Sequence, residues 1–173
     1  MKKVWVMSAA AILFITTTNA MTTGGSIDGH MKTHKAYEAS GQVKMQFEED
    51  FPGATVIDWQ RVVNLDEARF SKDGQAMSAF YDEDAELVGT STRKAFADLP
   101  AKAQKIFNGK FKDYTVDGVI FFDDNEQNET DMVMYDQPFE DKDSYFVELS
   151  KGNDKIVEQV SMDGDVAYFK RLR

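Results

Sequence analysis

The chain has 173 residues, 30 acidic against 20 basic side chains, a formal charge of −10 and no cysteine. That balance excludes a nucleic-acid-binding or anionic-membrane surface, since both need a basic footprint. The missing thiols exclude a disulfide scaffold and thiol catalysis, so stability must come from packing, for which 13 Phe, 6 Tyr and 9 Met are available.

Residues 1–20 have the three parts of a secretory signal. Lys2 and Lys3 form a basic start, Val4 to Ile15 is apolar except for Ser8, and Thr18-Asn19-Ala20 suits cleavage after Ala20. The apolar run is shorter than the roughly 20 residues that cross a bilayer. The sequence therefore predicts a periplasmic or secreted chain of charge −12, without membrane insertion. Residues 21–35 read as a flexible linker, rich in Thr, Gly and Ser. His30 and His34 within it would share a helix face, but no third ligand follows at metal spacing, so no metal or cofactor is expected.

Order is predicted to begin near Ala36. Val43, Phe47 and Phe51 recur every four residues, the spacing of a helix face laid on a core, and Pro52-Gly53 stops that helix. Strands are expected over 55–63, 67–72, 75–81 and 86–92, with turns at Asn64-Leu65-Asp66, Asp73-Gly74 and Asp82-Glu83-Asp84. Asp73-Gly74 is a two-residue hairpin signal, because a type I′ turn needs positive φ at both positions. A second helix is predicted from about Leu99 to Lys110, with Asp98 as its N-cap and Pro100 in its first turn. Strands follow over 115–122, 145–150, 154–161 and 165–171. Tyr145, Val147 and Leu149 should face one way, Phe146 and Glu148 the other.

The second helix repeats the first at an offset of 60: Val43, Phe47, Phe51, Thr55 and Val56 match Ala103, Phe107, Phe111, Thr115 and Val116. From Ala68 onward the match resumes at an offset of 79, carrying Ser71-Lys72 onto Ser150-Lys151. The difference locates a nineteen-residue insertion between Phe122 and Ser144. The expected fold is α+β: a tandem repeat over 36–97 and 98–173, each unit a helix plus a four-stranded antiparallel sheet, with the helices on one sheet face.

The insertion, residues 123–143, holds six Asp, three Glu and one Lys around Met132-Val133-Met134-Tyr135 and Pro138-Phe139. Two readings stand. It is a partner-docking hairpin, because Met and aromatic side chains adapt to varied surfaces, or its apolar residues pack on their own sheet. Calcium binding by Asp123, Asp124 and Asp131 is a weaker alternative without a ligand ladder. Asn128-Glu129-Thr130 fits a glycosylation acceptor by coincidence. Trp59 and Tyr81 are open to the same pair of readings, as binding anchors or core.

No nucleophile elbow, phosphate loop, zinc signature or EF-hand loop occurs, and both histidines lie before the first helix, so no catalytic residue is assigned. Phe47…Phe51-Pro52-x-Ala54…Trp59, then Ala68-Arg69-Phe70, Phe80-Tyr81-Asp82, Leu99-Pro100 and Met162-Asp163-Gly164-Asp165 form a pattern over residues 36–173. In this pattern the chain resembles the PepSY-like periplasmic proteins, whose fold is likened to the β-lactamase inhibitor protein. The resemblance implies two α/β repeats whose sheets form one long curved surface; its motifs are those of packing and turns. The function expected is a non-enzymatic periplasmic binding or inhibitory module, a monomer or weak dimer. It would engage a protein or peptide through an open sheet face and the acidic hairpin, with Trp59, Tyr81, Met132, Met134, Tyr135 and Phe139 as partner-binding residues. A divalent-cation-binding or envelope-stress structural protein is the alternative, and a carboxylate-dependent hydrolase a third.

Overall fold

Ser40 caps the first helix: its hydroxyl accepts the Val43 N–H at 3.2 Å, satisfying one of the orphan donors of helix α1, Gly41–Asp50. The computed structural model describes residues 37–140 and 142–172; the expected signal segment, the expected linker and both histidines lie outside that range. Strands β1 (Thr55–Val62), β2 (Leu65–Lys72), β3 (Gln75–Tyr81) and β4 (Leu87–Lys94) follow as a meander. A 3₁₀ turn, Phe96–Asp98, leads into α2, Ala101–Lys110. Then come β5 (Thr115–Asp124), a hairpin of β6 (Val133–Met134) and β7 (Gln137–Pro138), and β8 (Ser144–Lys151), β9 (Asp154–Ser161) and β10 (Val166–Leu172).

The strands do not stay in two separate sheets. β4 pairs with β5 from Gly89↔Asp124 to Lys94↔Val119, which joins eight strands in the order β1-β2-β3-β4-β5-β8-β9-β10. Every pairing is antiparallel. The protein is thus a mixed α+β fold with two helices and one large antiparallel sheet. Its two edge strands, β1 and β10, each carry a bulge, at Val56/Asp58 and Tyr168/Lys170, a device that blunts edge-to-edge pairing.

Both helices lie on one face. Val43 and Phe47 of α1 pack on Ala68, Phe70, Ala79 and Tyr81, with Phe47 and Phe70 edge-to-face at 5.0 Å. Ala103 and Phe107 of α2 pack on Val119, Val147, Leu149, Ile156 and Val160. The register carries this face across the sheet, since Met77 pairs with Thr92, Thr92 with Phe121, and Lys94 with Val119. Each buried Phe contributes about 2–3 kcal/mol of transfer free energy, so these rings dominate the seating of both helices.

The boundaries match closely. α2 begins 60 residues after α1, and β8, β9 and β10 each begin 79 after β2, β3 and β4. The bulges coincide as well, Val56/Asp58 in β1 and Val116/Gly118 in β5.

Two local expectations change. The first hairpin turn is Val63-Asn64 rather than Asn64-Leu65-Asp66, because Leu65 is fully buried and pairs with Val62. That forces Val63 to φ 56°, a conformation a β-branched residue adopts only under constraint. Asp98 does not cap α2: its carboxylate accepts the Ala95 N–H at 2.8 Å within the 3₁₀ turn, and Pro100 stands at the cap position. At the β1 bulge Ile57 is 52% exposed, while Trp59 packs on α1. Asp73-Gly74, by contrast, takes positive φ at both positions, 52° and 78°.

Candidate functional site

The insertion decides what the face opposite the helices presents. β6 and β7 form a hairpin whose tip, Tyr135-Asp136, has φ 52° and 57°, type I′ values without a glycine. Placing a bulky aromatic in the left-handed region is costly and persists only where the surroundings over-determine it. Here they do. The Tyr135 hydroxyl donates to Glu148 Oε1 at 2.9 Å, and Lys170 Nζ donates to the Tyr135 carbonyl. Burial first, and the Glu148 charge second, push the Tyr135 phenol well above its ordinary range. Phe139 stands edge-to-face on Phe122 (5.2 Å) and Phe146 (5.0 Å), and Phe146 on Phe169 (5.0 Å).

The structure therefore buries four of the insertion's apolar residues on the protein's own sheet, leaving Val133 half-buried and Pro138 exposed. Met132, Met134, Tyr135 and Phe139 are between 0% and 8% exposed. Tyr81 is fully buried on the helix face, donating to Asp50 Oδ2 at 2.9 Å, and Trp59 packs edge-to-face on Phe47 at 5.6 Å. Of the six expected partner contacts, five are buried and Trp59 is half-buried. The reason is common to them: each lies where a helix or the insertion covers its strand or where it covers the sheet itself.

Beneath the hairpin the Arg93 guanidinium and Glu148 carboxylate converge over Gly118. A Cβ at that glycine would stand 2.7 Å from Glu148 Oε2 and 3.1 Å from Arg93 Nη1. The register-matched pair in the first half is Asp58↔Arg69 against Gly118↔Glu148. Arg69 there binds both Asp58 oxygens, its Nε at 2.5 Å, and this charge-assisted bond holds Asp58 below the usual carboxylate range. Beside it, burial raises the Glu67 carboxyl while the Ser78 hydroxyl, donating at 2.7 Å, works the other way. Sequence reasoning missed this polar pairing because it depends on cross-strand register.

A cleft of about 550 Å³ opens where α1, the β3–β4 turn, β4 and the start of the insertion meet. Its carboxylates are Asp50, Glu86, Asp123 and Asp124, with amides from Gln46, Asn125, Gln127 and Asn128; no lysine or arginine lines it among the described residues. Burial, then the charges of Asp143 and Glu126, push the Asp123 carboxyl up. Asn125 tethers the wall, its Nδ2 donating to the Leu87 carbonyl at 2.6 Å and its N–H to that of Val88 at 3.0 Å. Asp123 and Asp124 thus share the cleft, while Asp131 stands exposed elsewhere on the insertion. Among the described residues no three His, Cys, Asp or Glu side chains are grouped to hold a metal ion.

Asp82 is the second residue sequence reasoning missed. Oδ1 accepts the Asp84 and Glu86 N–H groups (3.0 and 2.9 Å), and Oδ2 accepts Asn128 Nδ2 (2.8 Å) and the Thr130 hydroxyl (3.4 Å). One carboxylate closes the β3–β4 turn and pins the insertion to it. The acceptor-pattern Asn128 is accordingly 5% exposed with its amide engaged. Asp82→Ala is expected to cost about 1–3 kcal/mol, with amides of residues 125–131 exchanging faster than those of β8. Equal exchange in variant and wild type would remove Asp82 as the tether.

Solved structures share this architecture. A BLIP-like protein from Bacteroides fragilis superposes at a TM-score of 0.60 and 19% identity, over 79% of this chain and 88% of its own. A protein from Bacteroides eggerthii provisionally placed in the periplasm gives 0.64 at 19% identity, over 78% and 90%. A DUF2874-family protein from Bacteroides uniformis gives 0.63 at 15%, also over 78% and 90%. The fold is BLIP-like. No protein-family model matches the sequence, and no curated protein does either. No helix among the described residues is long and apolar enough to cross a membrane.

Proposed function

We propose that the chain is a non-enzymatic periplasmic binding module that receives a basic side chain or peptide segment in its acid-lined cleft. The observation that carries this reading is the cleft itself: four carboxylates and four amides around about 550 Å³, without a lining cation among the described residues. Carboxylates held by a folded wall attract a Lys or Arg side chain, and amides satisfy the peptide groups beside it. The buried apolar residues of the insertion pack on the sheet and do not line the cleft. Its acidic residues add to the field that steers a cation inward.

We further infer that the two halves are copies of one PepSY-like unit, with the insertion added to the second. The matched element boundaries, the coincident bulges in β1 and β5 and the two constant offsets support this. The export reading rests on the leader's anatomy and on the cellular placement of one structural neighbour.

Fluorescence anisotropy of a labelled Lys/Arg-rich peptide tests the cleft. Binding is expected to weaken as salt rises, and Glu86→Gln with Asp123→Asn to reduce affinity about tenfold or more. An acidic peptide of the same length should not bind. Unchanged affinity in the double variant would remove the cleft from the reading, and absence of any salt dependence would remove charge-guided recognition.

A further inference from the structure

We propose that Glu158 makes the seating of α2 on the sheet proton-dependent, tight while its carboxyl is neutral and looser once it is ionised. Glu158 stands in the middle of the apolar patch that receives α2. Along β9 it is flanked by Ile156 and Val160, and across the strands it pairs with Val147 of β8 and Tyr168 of β10. It is 2% exposed, and its Oε2 has no hydrogen-bond partner. A buried oxygen without a partner carries its full desolvation cost, and that cost is far larger for a carboxylate than for a carboxylic acid.

The groups around it do not remove that cost. α2 offers Lys110, which favours the ionised form but stands in solvent, where its attraction is screened. From the α2–β5 link, Tyr114 gives its hydroxyl to Asp154 at 2.9 Å, and Arg171 of β10 is drawn to the same Asp154 at 3.4 Å. β8 contributes Val147 and Leu149, both uncharged. Burial outweighs Lys110 and raises the Glu158 carboxyl above its ordinary 4.5. The folded state thus binds the proton more tightly than the unfolded chain, so stability from this group declines as pH rises from 4.5 through the folded value.

The first half supplies an internal control. The register that pairs Val147 with Glu158 pairs Ala68 with Ala79, so α1 rests on an alanine where α2 rests on a carboxylate. An α2 that loosens on leaving mild acid is a built-in proton response with no counterpart under α1, where Ala79 holds the matching position.

Hydrogen exchange of the full chain at about pH 5 and about pH 7.5, corrected for the intrinsic rate, reads this directly. The amides of Ala103 to Phe111 are expected to exchange several-fold faster at the higher pH, while those of α1 change little. Glu158→Gln should abolish the α2 response, and Glu158→Ala, which reproduces the first half, serves if the glutamine variant does not fold. A wild-type α2 that shows no such response, or a response that persists in the variants, overturns the proposal.

Discussion

Phe146→Ala is expected to cost about 3–5 kcal/mol and to lower Tm by roughly 10–15 °C. Phe146 is fully buried on β8, with the rings of Phe139 and Phe169 at 5.0 Å and that of Tyr135 at 6.3 Å. Removing it leaves a cavity under the hairpin, and the insertion loses the surface against which its apolar side is ordered. The effect should be uneven. Thermal unfolding gives the total loss, while limited proteolysis should cut first within residues 123–143, because α1 and β1–β3 share no ring contact with Phe146. A variant of near wild-type stability, or first cleavage in the first half, would mean that the insertion is held by something other than this aromatic cluster.

Gly89→Ala should be the second large effect, at about 2–3 kcal/mol. An added Cβ would come within 2.5 Å of Phe122 Cζ and 2.7 Å of the Asp123 backbone oxygen. The Phe122 ring is packed against Phe139 and Phe80, and the carbonyl belongs to β5, whose pairing with β4 joins the two halves of the sheet. Chemical denaturation should therefore show a lower midpoint, and peptide binding at the cleft should weaken in parallel, since Gly89 and Asp123 both line it. Gly41→Ala is the matched control: nothing lies within 4 Å of its added Cβ, so a change of no more than about 1 kcal/mol is expected. Equal stability of the Gly89 and Gly41 variants would show that β4 and β5 approach less closely than described.

Local and periodic features were legible directly. The four-residue spacing of Val43, Phe47 and Phe51 marks a helix face, Asp73-Gly74 marks a hairpin, and the alternation of β8 separates Val147 from Phe146, because each depends on residues only a few positions apart. The Val63-Asn64 turn was not legible. It arises because burying Leu65 takes precedence over the turn preference of Asn64-Leu65-Asp66, and burial is a property of the whole sheet.

The insertion divides along the same line. Its length, its acidity and its embedded Met and aromatic residues follow from the sequence, and so does its place in the second half alone. Which way its apolar side faces does not, because a Met-aromatic strip packs equally well on a partner or on its own sheet. Tertiary structure decided it through Phe122, Phe146 and Phe169, which lie on three different strands and form one aromatic surface only once β5, β8, β9 and β10 are in register. The cleft and the buried Glu158 are of the same kind: their carboxylates are ordinary in the sequence, and only packing gives them an uncommon environment.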